Sequence, residues 1–474
     1  MNRKIKYITG CGIFAAVIVS SVFTACKNST NGSPVGSGGI DTTLAYSGGA
    51  TTVFAANTGA FGFSAPNLDA DGQAFFGEGS VAFNASFVTM PTPVIFRGLG
   101  PIFNNVSCVS CHGSDGGGLP PAAGESLNSL LIRISMPGAD PNGGPNPVPG
   151  FGVQLKQRST VGVQPQADVN VSYSAINGAF ADGTPYTLSQ PTYTLSNPYI
   201  PWPGQILTSP RLAPPIFGLG LLEAISEQDI LSNASASSDD IAGIHGHPNY
   251  VYDNYYHKTM IGRFGMKANT ATLYQQTAAA YQQDMGVTSY IFPQKSCVGE
   301  PQYAWCQASG DTVMDIDSST LNSVVFYHRT LAVPARRNVY DPTNQRGEAI
   351  FYAAKCANCH TPTMTTGALD GVPAVSNQVI HPYTDLLVHD MGPGLADNRP
   401  DYQASGSEWR TAPLWGAGLR QVVTGQAVYL HDGRARTILE AILWHGGEGQ
   451  FSKNYILNLS QADRDALVAF INSL

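Results

Sequence analysis

The chain has 474 residues and a formal charge of −8, and charged residues make up 12% of it, about half the ~25% usual in globular domains. That length predicts more than one domain, and the mild acidity excludes a nucleic-acid binder, which needs a basic face. With 51 glycines and 32 prolines, the composition predicts a compact, loop-rich chain with few long exposed helices.

Arg3, Lys4 and Lys6 precede an apolar run from Ile8 to Phe23, the pattern of a cleaved signal peptide over residues 1–25. Phe23-Thr24-Ala25-Cys26 resembles a bacterial lipobox, with Phe where Leu is commoner. Cys26 is therefore expected to carry a lipid that anchors the protein to a membrane, and residues 26–45 to form a flexible linker. No other segment is apolar for the ~18 residues that a membrane span requires. The expected location is the periplasm or cell surface.

Cys108-Val109-Ser110-Cys111-His112 and Cys356-Ala357-Asn358-Cys359-His360 repeat one pattern. Cys-x-x-Cys-His in an exported chain reads as covalent attachment of c-type haem, with the His as proximal iron ligand. A zinc site would draw four ligands from neighbouring pairs, and these pairs lie far apart. Ile102-Phe103 and Ile350-Phe351 stand at the same offset before each motif, which predicts two copies of one haem-binding unit. Two covalently bound haems are expected. Cys297 and Cys306 are expected to pair as a disulfide in an oxidising compartment.

In chain order, residues 40–100 show short alternating runs without a repeat. Residues 136–205 are rich in Pro, Gly, Thr and Tyr, and Thr192 to Leu195 alternates as a short strand would. Residues 213–231 turn helical towards their end. Residues 268–284 predict a helix with Leu273, Gln276, Ala280 and Asp284 near one face. Pro334, Arg336, Arg337 and Pro342 mark a domain boundary, giving an N-terminal haem domain with insertions over 46–335 and a C-terminal one over 336–474. A helix from about Gln345 to Ala354 enters the second motif. Thr437 with Glu440 forms a capping box for a short helix ending at His445, and Ser460 with Asp463 starts the last helix. The predicted fold is mainly α with irregular loops and a few short strands, as two cytochrome-c-like haem domains.

An occupied sixth position on a haem iron favours electron transfer, and an open one admits peroxide or oxygen. His445, fixed at a helix end, is the expected sixth ligand of the second haem, with Met391 as rival. The first motif has no comparable candidate; Met136, His245 and His247 are the nearest. With an open first haem, Asp284 is the candidate general acid/base for bound peroxide and Gln276 the candidate hydrogen-bond partner of that peroxide.

Several motifs in order carry a family resemblance: Gly262-Arg263-Phe264-Gly265-Met266-Lys267-Ala268, Asp284-Met285-Gly286-Val287-Thr288, Asp390-Met391-Gly392-Pro393-Gly394-Leu395-Ala396-Asp397, Glu408-Trp409-Arg410-Thr411-Ala412-Pro413-Leu414-Trp415-Gly416 and His431-Asp432-Gly433-Arg434-Ala435. From about residue 50 onward the chain resembles the dihaem oxidoreductases described as peroxidases or thiol oxidoreductases, themselves similar to bacterial dihaem cytochrome c peroxidases. The resemblance implies that electrons arrive at the C-terminal haem and are used at the N-terminal one. It implies a donor that is a small redox protein or quinol-linked. Calcium between the domains is possible on the same ground. The C-terminal Met of those peroxidases falls on His445 here, their catalytic Glu falls close to Asp284, and Phe264 stands nearest their inter-haem Trp. No residue argues for thiol chemistry. The alternative is a pure electron-transfer cytochrome with no open iron.

Overall fold

In the computed structural model the described residues are 42–90, 94–297, 300 and 313–474. The leader, Cys26 and Cys306 lie outside them. Thr43–Leu474 forms one unit. The expectation of a mainly α fold is corrected: the chain is 30% helix and 20% strand, in several small sheets.

The strand content comes from the segment between the first motif and residue 212. Leu130–Ala139 pairs antiparallel with Leu207–Leu212, Leu130 opposite Leu212. Alternate residues Leu130, Ile132 and Ile134 are buried, so the strand shows one face to a core that also holds Phe151, Leu155 and Val169. Asp168–Ala179 and Pro185–Ser196 form a twelve-pair hairpin, in register from Asp168 opposite Ser196 to Ala179 opposite Pro185. These strands are rich in Val, Thr, Tyr and Ile, whose side chains suit a pleated surface. They are long elements, not the few short strands expected.

Four of the helices pack in two close pairs. Ala70–Asn84 packs on Ser318–Thr330, and Pro342–Ala353 packs on Gln461–Ser473. Each helix starts on a side-chain cap. Asp69 accepts from Gly72 N, Asp317 from Thr320 N, Asp341 from Thr343 N and Ser460 from Asp463 N, satisfying backbone donors that no carbonyl reaches. Thr437 likewise accepts from Glu440 N to start Ile438–Trp444, and Leu273–Met285 starts on Thr272. The expected helices at 268–284, 345–354, 437–445 and from Ser460 are thus present with shifted ends.

The two pairs share one geometry. A Cβ on Gly79 would stand 2.1 Å from the Ser323 carbonyl oxygen and 2.7 Å from the Tyr327 Cβ. A Cβ on Gly347 would stand 2.0 Å from the Ala466 carbonyl oxygen and 2.7 Å from the Phe470 Cβ. One turn after each glycine comes a phenylalanine. Phe83 meets Tyr327 and Phe351 meets Phe470, both at 5.3 Å between ring centroids. The repeat is therefore Gly-x-x-x-Phe on a helix, and the Ile-Phe pair is not part of it. Ile102–Phe103 is a strand paired with Ser159 and Arg158, whereas Ile350 and Phe351 are helical.

Cys297 is disulfide-bonded. No helix among the described residues is long and apolar enough to cross a membrane.

The helix Ala70–Asn84 offers an internal comparison. Gly79→Ala puts a methyl into the Ser323 carbonyl, and overpacking of this kind costs about 1–3 kcal/mol. Gly77→Ala meets nothing within 4 Å and gains about 0.5–1 kcal/mol from the helix preference of alanine. Urea denaturation of the two variants checks the opposite signs.

Candidate functional site

Both Cys-x-x-Cys-His motifs close into one helical turn. His112 N donates to Cys108 O and His360 N to Cys356 O, each at 2.9 Å. Residues three and four apart share a helix face, so both thiols and the imidazole of each motif point one way. His112 Nδ1 lies 2.8 Å from Pro214 O, and His360 Nδ1 lies 2.9 Å from Tyr383 O. A carbonyl only accepts, so each Nδ1 carries the proton and each Nε2 keeps its lone pair for a metal. Burial pushes the His112 imidazolium down from its ordinary range and that of His360 to about 4, which keeps both rings neutral and able to ligate. Phe83 and Phe351 flank the two rings alike, at 6.3 Å and 54° in each case.

The four motif cysteines form no disulfide. Burial pushes the thiols of Cys108, Cys111 and Cys356 up to about 12 and raises that of Cys359. Reactive redox thiols show the opposite, a lowered pKa, so a dithiol redox centre does not fit.

One cavity of about 480 Å³ reaches both motifs, with Cys108, Cys111, His112, Cys356, Cys359 and His360 all in its wall. The wall between them is aromatic and apolar, with Phe61, Phe217, Phe264, Leu414, Trp409 and Trp415. Three cations in this wall, Arg133, Arg410 and Arg420, make no ion pair among the described residues, and Arg133 donates to the amide oxygen of Gln283. Arg410 bonds only to the carbonyls of Gly265 and Thr411, and Arg420 Nε is buried without a partner. Burial lowers the Arg410 and Arg420 guanidinium groups to about 10. Buried charges are normally paired, so the cavity wall is built for an apolar ring system that brings its own carboxylates, as haem does.

His445 also lines this cavity. Its Nδ1 lies 2.7 Å from Ala441 O, the same anchoring as the motif histidines, which leaves Nε2 free. Its ring packs on Gly449, where a Cβ would stand 3.2 Å from a ring carbon. Met391 lines the cavity as well. His389, nearby, has both nitrogens committed, Nε2 to Asp385 at 2.9 Å and Nδ1 to Glu448 at 2.6 Å. Asp385, His389 and Cys359 also form a compact donor group, but sulfur and imidazole do not suit calcium, which takes oxygen ligands.

On the side of the first motif, the helix Leu273–Met285 presents Leu273, Gln276, Thr277, Ala280 and Asp284 to the cavity. Gln154 Nε2 donates to Asp284 Oδ1 at 2.5 Å. Burial is the largest influence on Asp284 and raises its carboxyl above the ordinary range, against the pull of Arg133 and Gln154. His328, not singled out by sequence, reaches the same wall. Its Nδ1 lies 3.1 Å from Thr277 Oγ1 and its Nε2 is buried without a partner. Met136, His245 and His247 are not in the cavity wall. His247 is bonded to Glu408 and to Pro248 O instead.

A third group joins the two sides. Trp409 and His431 stack at 3.8 Å and 8°, with the Lys267 ammonium 4.4 Å from the Trp409 ring. Lys267 is paired with Asp397 at 2.9 Å, and Arg211 with Asp401 at 2.9 Å. Phe264 was the sequence candidate for an aromatic between the haems; Trp409 and Trp415 share that wall. Their signal was present in the Glu408–Gly416 motif, without any indication that the two rings face a common space.

The paired motifs, their matched anchors and the shared wall define a protein organised around two haems. The chain belongs to the dihaem oxidoreductases: the family model described as "Di-haem oxidoreductase, putative peroxidase" matches residues 41–474. No curated protein matches it.

His431 gives a pH test. Burial holds its folded-state pKa down at about 4, against about 6.5 unfolded. Between those values the unfolded chain binds the extra proton, so stability rises with pH across the window and is lost as pH falls through it, by up to about 1.4 kcal/mol per unit. His431→Phe keeps a ring on Trp409 and should flatten this slope in denaturation curves taken from pH 7 to pH 4.

Proposed function

We propose that the protein is an exported, lipid-anchored dihaem c-type oxidoreductase that reduces peroxide at its N-terminal haem. The four thiols of Cys108, Cys111, Cys356 and Cys359 would hold the two haems covalently. His112 and His360 would each offer Nε2 to one iron, and His445 would offer a second imidazole to the C-terminal one. When bound, haem would supply a redox-active iron that can meet an oxidant.

The observation that carries this reading is the inequality of the two ends of the cavity. Near His360 the wall holds the anchored imidazole of His445 with its Nε2 free. Near His112 it holds the carboxyl of Asp284 and the amide of Gln276, while the His328 Nε2 is enclosed. Because burial raises the Asp284 carboxyl, it holds a proton at a pH where an ordinary aspartate has lost it. It can then give that proton to a departing oxygen and take one back from solvent, the work of a general acid/base. Gln154 fixes one carboxyl oxygen, and Gln276 can orient the oxidant. Peroxide with two protons and two electrons yields two waters. The electrons are taken up at the C-terminal end from a small redox protein or a quinol-linked donor. They cross the wall formed by Phe264, Trp409 and Trp415.

Asp284→Asn keeps the shape and removes the titrating proton. Peroxide turnover should fall by about 10²-fold or more, the usual contribution of a general acid, with haem content unchanged. Turnover equal to the wild type would remove Asp284 from the mechanism. His445→Ala should change the optical spectrum of the C-terminal haem alone; an unaltered spectrum would refute the ligand assignment. Optical spectra indifferent to peroxide in every redox state would make the protein an electron carrier instead.

A further inference from the structure

Four tyrosines meet beside the helix that carries Gln276 and Asp284. Tyr255 stacks on Tyr274 at 4.4 Å and 12°, meets Tyr256 edge-on at 4.8 Å, and lies 6.5 Å from Tyr290. Tyr274 directly follows Leu273, which lines the cavity at the first motif. Tyr256 and Tyr290 are 52% and 44% exposed. The cluster therefore runs from the cavity helix to solvent.

The arrangement is built, not incidental. Asp253, fully buried, accepts from Tyr255 N and Tyr256 N at 2.9 Å and from Thr272 Oγ1 at 2.7 Å. Thr272 is the cap of the cavity helix. Gln275, in the first turn of that helix, takes Asn254 N and gives to Tyr252 O. The tyrosine turn is thus fastened to the helix end by side chains. Arg329 lies 4.9 Å from the Tyr274 ring and is itself fixed by Glu223 at 2.6 Å.

We propose that this cluster is a surface oxidation site, at which phenolic donors too large for the cavity are oxidised one electron at a time. The proposal rests on the peroxide reading above. Each phenol in the chain loses one electron and one proton to become a tyrosyl radical, and regains both as a hydrogen atom from the donor. On this second route, which replaces electron entry at the C-terminal end, two such events supply the two electrons and two protons that turn one peroxide into two waters, and two donor radicals leave. Tyr274 takes the first step next to the cavity, and Tyr255 passes it on to Tyr256 and Tyr290.

The test uses the purified dihaem protein mixed with hydrogen peroxide and no added donor. Freeze-quenched electron paramagnetic resonance should show a tyrosyl radical, and peptide mass spectrometry should find oxidised or cross-linked Tyr255, Tyr256 or Tyr290. Tyr274→Phe and Tyr255→Phe keep the stacked rings and should lose most of both signals, with the peroxide-induced change at the haem retained. Tyr186→Phe, remote from the cluster, should lose neither. A haem that responds to peroxide without any radical, or radicals equally strong in both cluster variants, would overturn the tyrosine assignment alone. A haem that does not respond would overturn the peroxide reading and this proposal with it.

Discussion

Everything in this molecule that bears on chemistry depends on where two imidazole protons sit. His112 and His360 each commit Nδ1–H to a backbone carbonyl, from Pro214 and Tyr383. Those carbonyls come from segments far from the motifs in sequence, so the tautomer is set by the tertiary fold. Once it is set, each Nε2 faces one shared cavity. A neutral ring in a dry site is a ready metal ligand, and a protonated one is not. Burial, by disfavouring the charged form, keeps both rings in the useful state.

The same fold makes the two ends alike in support and unlike in surroundings. The helix pairs repeat a glycine contact and a phenylalanine, and each phenylalanine packs against the imidazole that its pair supports. What lines the cavity beside each differs: a third anchored histidine near His360, a carboxyl on a capped helix near His112. Between them run aromatic rings and buried cations. Among the described residues Arg133, Arg410 and Arg420 make no ion pair, whereas Lys267 and Arg211 are each paired. The protein therefore neutralises its own charge along the wall and leaves cationic positions for a group that arrives with its own anions.

The motifs were legible because covalent chemistry dictates their spacing. Helix starts at Thr437 and Ser460 were legible because capping is local, and His445 could be ranked from its place after one such helix. The helix Ala70–Asn84 was not legible. It carries three glycines in fifteen residues, which lowers helix preference, and Gly79 is there for a contact with Ser323 that sequence does not display. The true repeat was hidden because Phe83 lies far upstream of Cys108, whereas Phe351 nearly adjoins Cys356. The visible Ile-Phe pair pointed to a wrong equivalence, since the same two residues are strand in one copy and helix in the other. The mainly α expectation failed because two haem motifs suggested small helical domains, while the Val- and Tyr-rich alternation between residues 130 and 212 builds long paired strands. Arg410, Arg420, Trp409 and His328 reach the cavity only through tertiary folding.

The central proposal is that the two haems of this chain would meet unequal surroundings, one with a second histidine, His445, to offer and one with the carboxyl of Asp284 instead. Low-temperature electron paramagnetic resonance of the purified oxidised protein, with haem quantified on the same sample, reads both facts together. Two haems per chain, one low-spin and one with a high-spin component, are expected; a single haem per chain, or iron that is wholly low-spin, would contradict it.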